Sequence, residues 1–319
     1  MAGLTGVINI AKVRLHNKNR KAMSSINTFA FKHDAPVVNG PRRQQEGGLR
    51  LSGVRKKSSP EKPLVSIITV VRNGASALER TIQSVINQTY DNIEYIVIDG
   101  ASSDGTCDII RKYSSSIDYW ISEADNGLYD AMNKGIILAG GEWLYFLNSD
   151  DVLLNIVNEV ALNLKDSNTI YYGDTLWRER NIVRGGKYSS LKLMFKNICH
   201  QAIFYPASAF KKYTYELNYK VLADYVMNIK CFTDKQFRFV YMPITLAVFN
   251  DKDGFSKCNN DTLFEAEKKN ILKTYFSFYL YVLYITRKKI VDLVELFNLR
   301  KSVVRVLDKT KLKDIFIYK

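Results

Sequence analysis

The apolar positions between residues 63 and 151 alternate between two patterns. Short runs rich in β-branched and aromatic residues are typical of strands that are buried on both faces of a sheet. Stretches with apolar residues at every third or fourth position are typical of amphipathic helices. This alternation predicts an α/β fold: a doubly wound, mostly parallel sheet with helices on both faces. Strands are predicted at 64–71, 93–98, 117–121 and 143–147, and helices at 75–87, 104–113 and 128–139.

The pattern changes after Asp174. Residues 175–187 are polar and predict a hairpin or an excursion from the sheet. A short strand at 202–205, a helix at 225–232 and a strand at 237–241 are predicted to follow. We therefore expect one α/β domain over residues 63–260.

The two ends of the chain differ from this domain in charge. Of the net charge of +14, residues 1–62 carry +10 and residues 268–319 carry +9, so the middle is mildly acidic. Residues 1–62 contain too few large apolar residues to build a core, which predicts a basic, poorly ordered N-terminal segment. Residues 261–319 have a helical pattern and are interpreted as a basic C-terminal extension.

A nearly continuous apolar and aromatic run occupies residues 275–285 and is followed by Arg287, Lys288 and Lys289. This run is too short to span a bilayer, which takes about 20 residues. It suits a helix that lies in an anionic membrane interface with its tyrosines at the level of the headgroups. A helix packed on the domain or on a second subunit fits the pattern equally well.

Several classes of protein are disfavoured by what the sequence lacks. No apolar run is long enough to span a membrane, and the N-terminus has no secretory-signal pattern. The four cysteines form no CxxC pair and are expected to be reduced thiols of a cytoplasmic protein. Neither GxGxxG nor GxxxxGK[ST] follows the first strand, which argues against dinucleotide dehydrogenases and P-loop NTPases. The acidic middle argues against a nucleic-acid partner.

Carboxylates cluster where the predicted strands end. Asp99 and Asp104 follow the second strand, Asp125 follows the third, and Asp150 and Asp151 follow the fourth. In open α/β sheets, ligands bind outside the carboxyl ends of the strands. Crowded carboxylates repel one another unless they bind a cation or a hydrogen-bonding ligand. The sequence therefore predicts a ligand site at this edge, with phosphates bound by a metal or by Lys, Arg or His.

An ordered series of motifs runs through the domain. PLVSIITVVRNG, IEYIVIDGASSDGT, SEADNGLYDAMNKGI and WLYFLNSDD occur in this order. They resemble family 2 glycosyltransferases of the GT-A fold, above all the bacterial branch that builds colanic acid, O-antigen and other exopolysaccharides. IYYGD at 170–174, CHQAIFY at 199–205 and YKVLADYVMN at 219–228 extend the resemblance over residues 63–260.

The resemblance implies a role for each polar position. Asp224, in the Ala-Asp-Tyr segment, would be the catalytic base, and Asp150 would be the principal ligand of Mg²⁺ or Mn²⁺. An inverting transfer needs a carboxylate to take the proton of the acceptor hydroxyl and a cation to offset charge on the leaving diphosphate. The positions implied to bind the nucleotide sugar are Thr69, Asn73, Asp99, Asp104, Asp125, Asp130 and His200.

The sequence departs from the family pattern at two positions. The first Asp of the DxD-type motif is Asn148 here, so that Asp150 and Asp151 are both candidates for the metal ligand. Gly100 stands where many family members have an Asp.

Simpler structural roles are open for several of these residues. Asp104, Asp125 and Asp130 lie where a carboxylate could cap a helix. Asp224 could be a helix-start carboxylate stabilised by the helix dipole. His200 could be a packed or surface histidine.

The sequence as a whole predicts an inverting transfer of a sugar from a nucleotide-sugar donor, a UDP-sugar by family resemblance, to a lipid-linked or saccharide acceptor. The resemblance places this reaction in bacterial surface polysaccharide biosynthesis, at the inner face of the cytoplasmic membrane. One alternative is a sugar-phosphate nucleotidyltransferase, but the Gly-rich, Arg/Lys-bearing loop of that class is missing after the first strand. The other is a catalytically silent, membrane-associated sugar-nucleotide-binding protein, and the presence of Asp224 argues against it.

Overall fold

A computed structural model of the chain describes residues 45–252, Gly254 and residues 259–296. The first part alternates strands and helices as expected. Its elements are β1 (Gln45–Gly47), β2 (Val65–Val71), α1 (Ala75–Ile86), β3 (Ile93–Asp99), α2 (Thr106–Lys112), β4 (Tyr119–Ser122), α3 (Leu128–Leu138) and β5 (Trp143–Asn148).

The second part has an antiparallel hairpin at the predicted position, and it ends with the two longest helices of the described structure. Its strand β10 is longer than the predicted 237–241 because it continues along β7 through two irregularities in register. The elements are β6 (Val152–Leu153), α4 (Val157–Ala161), β7 (Thr169–Trp177), β8 (Ile182–Arg184), α5 (Ser190–Phe195), β9 (Ile203–Pro206), α6 (Ala207–Lys212), α7 (Ala223–Thr233), β10 (Arg238–Phe249), α8 (Thr262–Tyr275) and α9 (Phe278–Leu296).

All ten strands of the described part belong to one mixed sheet with the order β1-β4-β3-β2-β5-β9-β7-β10-β6, and β8 pairs with β7. The block β4-β3-β2-β5 is parallel. Strand β9 lies antiparallel between β5 and β7, and β10 is parallel to β7. The prediction of a doubly wound, mostly parallel α/β sheet is confirmed. The carboxyl ends of β2, β3, β4 and β5 lie at one edge, where the polar loops follow them.

The two faces of the sheet are covered by separate apolar layers. Side chains alternate between faces along a strand, so Ile68 packs on one side and Ile67 on the other. The layer of Ile68 includes residues of α3 and α7, among them Met132 and Val226. The layer of Ile67 includes residues of α1 such as Leu78. The two layers fix the position of the sheet edge at which the polar loops lie.

The described chain is already ordered at Gln45, earlier than the predicted start at Pro63. Strand β1 pairs with β4, and a short 3-10 turn at Leu49–Ser52 follows it. Arg50 forms an ion pair with Glu94, and the Lys56 ammonium lies 2.9 Å from Asp118. The polar composition predicts disorder for this segment. Its described residues are instead ordered by ion pairs and strand pairing with the domain, and not by an apolar core within the segment. Residues 1–44 lie outside the described residues.

The apolar run at 275–285 is divided between two helices. Helix α8 ends at Tyr275, Phe276 is buried, and α9 begins at Phe278. None of the described helices combines the length and the apolar character that a membrane span requires. One side of α9 packs on the domain through Tyr284 and Arg287, whose guanidinium lies 3.9 Å from the centre of the Phe195 ring.

Candidate active site

Asp224 lies in the first turn of α7 and is only 6% exposed. Its Oδ2 accepts a hydrogen bond from Asn197 Nδ2 at 3.0 Å and lies 3.2 Å from Nδ1 of His200. The Tyr129 hydroxyl lies 3.0 Å from Oδ1 and also contacts the Val221 carbonyl. Asn197 and His200 from the segment before β9, together with Tyr129 of α3, therefore fix the orientation of this carboxylate, which lines a cavity and can accept a proton there.

His200 bridges Asp224 to the end of β5. Its Nε2 lies 3.1 Å from Oδ1 of Asn148, while Nδ1 faces Asp224. The histidine is 8% exposed and begins a short 3-10 turn after Cys199. A ring bonded at both nitrogens has a fixed orientation, so His200 holds the candidate base against the strand end that precedes Asp150.

The two adjacent carboxylates after β5 have different environments. Asp151 is fully buried and accepts hydrogen bonds from the Asn250 backbone N–H and from Gln201 Nε2. Burial, reinforced by the charge of Asp150, raises the pKa of Asp151 to about 8 although both hydrogen bonds oppose that shift. Asp151 thus supports the β5–β6 turn from inside the protein.

Asp150 lines the cavity instead. Its Oδ2 accepts a hydrogen bond from Asn250 Nδ2 at 2.9 Å, and its backbone carbonyl lies 3.3 Å from an Arg178 nitrogen. Within the described residues no hydrogen bond occupies its Oδ1, which leaves that oxygen open to a ligand.

The described residues contain no group of three or more His, Cys, Asp or Glu side chains arranged to bind a metal ion. Magnesium in nucleotide sites commonly uses one or two carboxylates, and the substrate phosphates and water complete its coordination. A single open carboxylate such as Asp150 fits that kind of site, whereas the occupied oxygens of Asp151 do not.

A cavity of about 430 Å³ brings Asp150, His200 and Asp224 together. Its volume lies within the range of small-molecule sites. Several residues of the β7–β8 hairpin between 173 and 185, and residues 196–202 before β9, contribute much of the remaining lining. The structure thus groups three of the predicted site residues in one concave space.

Sequence reasoning missed the cations that line this cavity. Arg180, Arg184 and Lys196 all face it, together with Trp177. Arg180 pairs with Asp251 at 3.4 Å, and both arginines lie over the Trp177 ring. Arg180 and Arg184 belong to the polar stretch 175–187, but only the fold shows that this hairpin, like Lys196, lines the cavity.

Apart from Thr69, the other predicted donor-binding residues lie in or directly beside the loops after β2, β3 and β4, and none of them lines the cavity. We call residues 72–75, 99–106 and 123–130 the strand-end loops. Asp99 is fully buried, and its oxygens accept hydrogen bonds from the backbone N–H of Ser102 and from the hydroxyls of Ser102 and Ser122. Its carboxylate fixes the loop that follows β3.

Asn73 and Asp104 tie two of these loops together. Asn73 Oδ1 accepts a hydrogen bond from Ser103 N, and its own N–H donates to Ser102 Oγ. Asp104 accepts from Thr106 N through Oδ1 and from Ala75 N through Oδ2. The hydrogen bond from the Thr106 hydroxyl to Oδ1 is the main reason that the pKa of Asp104 is lowered. Asp104 was predicted to cap α2, and it also caps α1.

Thr69 is not at the edge of the sheet. It is fully buried inside β2, and its Oγ1 lies 3.2 Å from the Tyr95 hydroxyl. The resemblance implied a contact between Thr69 and the nucleotide, but in this structure Thr69 has no exposed surface to offer. Its contribution in this structure is to the interior of the sheet, through β2.

Asp125 and Asp130 shape the loop before α3. Asp125 Oδ1 accepts from Gly127 N, and Asp130 Oδ2 accepts from Asn126 N. Burial raises the pKa of Asp125. A Cβ at Gly100 would lie 2.3 Å from Asp125 Oδ2, which explains why this chain has a glycine where many family members have an Asp.

Comparisons with known proteins agree with this architecture. The model of glycosyl transferase family 2 matches residues 66–218. A PGL/p-HBAD biosynthesis glycosyltransferase of Mycobacterium bovis (strain BCG / Pasteur 1173P2) is 37% identical over 203 residues, which cover 61% of this chain and 79% of that protein. An uncharacterized glycosyltransferase of Mycobacterium tuberculosis (strain H37Rv) is 37% identical over 175 residues, which cover 51% of this chain and 66% of that protein.

Two solved structures share the fold at low sequence identity. S. aureus TarS 1–349 in complex with UDP-GlcNAc aligns with a TM-score of 0.52 and 17% identity, covering 66% of this chain and 71% of that one. The mannosyltransferase PcManGT from Pyrobaculum calidifontis, in complex with GDP-Man and Mn²⁺, aligns with a TM-score of 0.51 and 14% identity, covering 84% and 88%.

The sheet is therefore that of a GT-A-type fold. The chain belongs to glycosyl transferase family 2. This assignment favours glycosyl transfer over the nucleotidyltransferase and over the catalytically silent binding protein. The relatives named above do not point to the colanic acid or O-antigen branch, so the pathway of this chain is a separate question.

Proposed function

We propose that the chain transfers a sugar, with inversion, from a nucleoside-diphosphate sugar to a saccharide or lipid-linked acceptor in surface polysaccharide or glycolipid biosynthesis. The observation that carries this proposal is that Asp150 and Asp224 line one cavity. One carboxylate with an open oxygen and a second held by three side chains match the two tasks of such a transfer. The glycolipid alternative is proposed because the mycobacterial relative is a PGL/p-HBAD biosynthesis glycosyltransferase.

The reaction assigns distinct tasks to the chain's own residues. The strand-end loops bind the nucleoside, with Asp99 and Asp104 holding the loop backbone in place. Asp150 would hold a divalent cation, Mg²⁺ or Mn²⁺, which when bound offsets charge on the leaving diphosphate. Asp224 accepts the proton of the acceptor hydroxyl as that oxygen attacks the anomeric carbon. His200 and Asn197 keep the Asp224 carboxylate directed into the cavity.

A donor panel tests this proposal. The full-length protein is incubated with UDP- and GDP-sugars and Mn²⁺, and separately with sugar phosphates and nucleoside triphosphates. We expect slow donor hydrolysis that releases a nucleoside diphosphate from one sugar nucleotide. The same donor, at a hundred times its dissociation constant, should stabilise the fold by roughly 2.7 kcal/mol. Release of pyrophosphate from the second mixture, with none of the first activity, would contradict the proposal.

We further propose that α9 docks the enzyme on an anionic membrane surface. The side of α9 that faces away from the domain is apolar: Phe278 is 80% and Tyr279 is 73% exposed, and Val282, Leu283, Ile290 and Leu293 continue the exposed stripe at helical spacing. Lys288 and Lys289 lie beside the stripe and are exposed. Cations next to an apolar stripe match the charge of an anionic leaflet, and each contributes about 1 kcal/mol near such a surface.

Sedimentation with vesicles of anionic phospholipid tests the docking. Cutting the chain before α9 is unsuitable, because Tyr284 and Arg287 are buried against the domain. The test variant is instead Phe278→Ser, Tyr279→Ser and Leu283→Ser combined. The matched control is Leu51→Ser and Leu162→Ser, since both leucines are at least 60% exposed elsewhere on the surface. The first variant should no longer sediment with the vesicles, whereas the control variant should sediment as the wild type does. A dimer that the triple substitution dissociates, with no vesicle binding by the wild type, would show that α9 covers a second copy instead.

A further inference from the structure

The cavity contains positively charged side chains that have no role in the proposed transfer so far. Arg184 and Lys196 both line it. Within the described residues neither has a carboxylate within 4.0 Å, whereas the neighbouring Arg180 pairs with Asp251. Arg184 Nε is buried and has no hydrogen-bond partner. A buried N–H donor without a partner is costly, so Arg184, with the charge of Lys196 near it, is expected to receive an anion from a ligand.

The surroundings concentrate this charge and hold it in place. The Arg184 guanidinium lies 4.7 Å from the centre of the Trp177 ring, which restricts its orientation. Burial, followed by the charges of Arg184 and Lys192, lowers the pKa of Lys196. The carboxylate of Asp174 is nearby, but its oxygens accept from Gly186 N and the Tyr241 hydroxyl. Lys192 is itself bound to the Gly185 carbonyl at 2.6 Å.

We infer that Arg184 and Lys196 bind a phosphate or diphosphate group carried by the acceptor. This inference rests on the proposed function. The planar guanidinium of Arg matches two phosphate oxygens, and Lys adds a point charge. The acceptor is favoured over the donor as the source because Lys196 adjoins Asn197, which holds the candidate base. The acceptor hydroxyl must meet that base, whereas Asp150 serves the donor diphosphate.

The acceptor class follows from this chemistry. A saccharide joined through phosphate to another group would place its phosphate at Arg184 and Lys196 and a hydroxyl at Asp224. A neutral glycolipid would leave both cations without an anion. The inference therefore narrows the acceptor from any saccharide to a phosphate-linked one.

Calorimetric titration of the full-length protein tests the inference in two arms. In the first arm inorganic pyrophosphate is titrated in the presence of EDTA, so that no metal contributes. In the second arm UDP, and GDP in parallel, is titrated with Mn²⁺. The variants are Arg184→Gln, Lys196→Gln and the charge-retaining Lys196→Arg. The matched control is Lys235→Gln, which removes one exposed cation away from the cavity. Thermal melting confirms that each variant is folded.

We expect the wild type to bind pyrophosphate, and Arg184→Gln and Lys196→Gln each to weaken that binding about tenfold or more, the effect of one charged hydrogen bond. Lys196→Arg and the control should stay within about threefold, and nucleotide affinity should be unchanged in all variants. The inference is overturned if the wild type does not bind pyrophosphate, or if Lys235→Gln weakens pyrophosphate binding as much as the cavity variants do. It is also overturned if Arg184→Gln weakens the binding of UDP or GDP by the same factor, because the anion site would then belong to the donor. If no nucleotide binds while pyrophosphate binding depends on Arg184 and Lys196, the proposed function fails and the anion site stands.

Discussion

The strand-end loops and the cavity use charged side chains in opposite ways. In the strand-end loops the carboxylates of Asp99 and Asp104 are occupied by hydrogen bonds from neighbouring serines, threonine and backbone N–H groups. In the cavity, Asp150 keeps an open oxygen, and the side chains of Arg184 and Lys196 have no carboxylate partner in the described structure. The first region uses charge to hold a shape, and the second keeps charge available for ligands.

The comparison indicates that a carboxylate at the end of a strand is not by itself a ligand-binding group. A substitution in the strand-end loops should act through the loop conformation and through stability. A substitution in the cavity should act on binding or turnover and leave stability nearly unchanged. Each prediction below tests one side of that contrast.

The largest effect is expected at Asp224. Asp224→Asn keeps the shape of the side chain but removes the proton acceptor, so transfer should fall by about 10²–10⁴-fold. Donor binding should be unchanged. The measurement is the rate of nucleoside diphosphate release, with Asp166→Asn as a surface control. If the variant releases nucleoside diphosphate at a rate within threefold of the wild type, Asp224 is not the catalytic base.

The adjacent carboxylates after β5 should separate by phenotype. Asp150→Ala should weaken Mn²⁺-dependent binding of the donor by about tenfold or more, the effect of a charged contact, with little change in unfolding. Asp151→Ala leaves buried hydrogen-bond donors of Gln201 and Asn250 unpaired, so it should lower the free energy of unfolding by about 1–3 kcal/mol. Urea unfolding and calorimetry with donor and Mn²⁺ measure the two effects. The reverse outcome would make Asp151 the metal ligand.

His200 should act through Asp224 rather than on the donor. His200→Gln loses one of its two ring contacts, so we expect turnover to fall about tenfold, with a shifted pH profile and unchanged donor affinity. A merely structural role would lower the melting temperature and leave the pH profile unshifted. Donor affinity that falls with turnover would instead support the predicted contact of His200 with the donor.

The smallest effect is expected at Gly100. A Cβ there would displace the Asp125 carboxylate, so Gly100→Ala should cost about 1 kcal/mol of unfolding free energy. The double variant with Asp125→Ala removes the clash, and the two costs should then be less than additive. If the losses of unfolding free energy measured in urea are additive, the contact with Asp125 does not explain why residue 100 is a glycine.

The sequence predicts the first part of this fold well because each element has a local signal. Strand β2 and helix α1 fall within a residue or two of their predicted ends, since an apolar β-branched run and a helical spacing are both visible within about ten residues. Strand β1 and the turn after it have no such signal. They are ordered by partners distant in sequence, such as the pairing of Arg50 with Glu94.

The site divides in the same way. The positions of Asp150, His200 and Asp224 were found because motifs mark them, and the structure brings all three to one cavity. Arg184 and Lys196 carry no motif, and their proximity depends on how the β7–β8 hairpin folds back. The burial of Thr69 and of Asp151 was equally hidden, because a sequence does not show which strand or turn residues face inward.

A crystal structure of the full-length protein with UDP and Mn²⁺, or with GDP if that is the nucleotide bound, would show whether the strand-end loops and Asp150 bind one nucleotide together. We predict that the nucleoside lies on the strand-end loops beside residues 99–104, and that Mn²⁺ bridges the diphosphate to Asp150. Asp224 should face the space next to the diphosphate, with its contacts to Asn197 and His200 retained. A nucleotide bound away from Asp150, or a diphosphate held by Arg184 and Lys196 with no contact to the strand-end loops, would contradict the account.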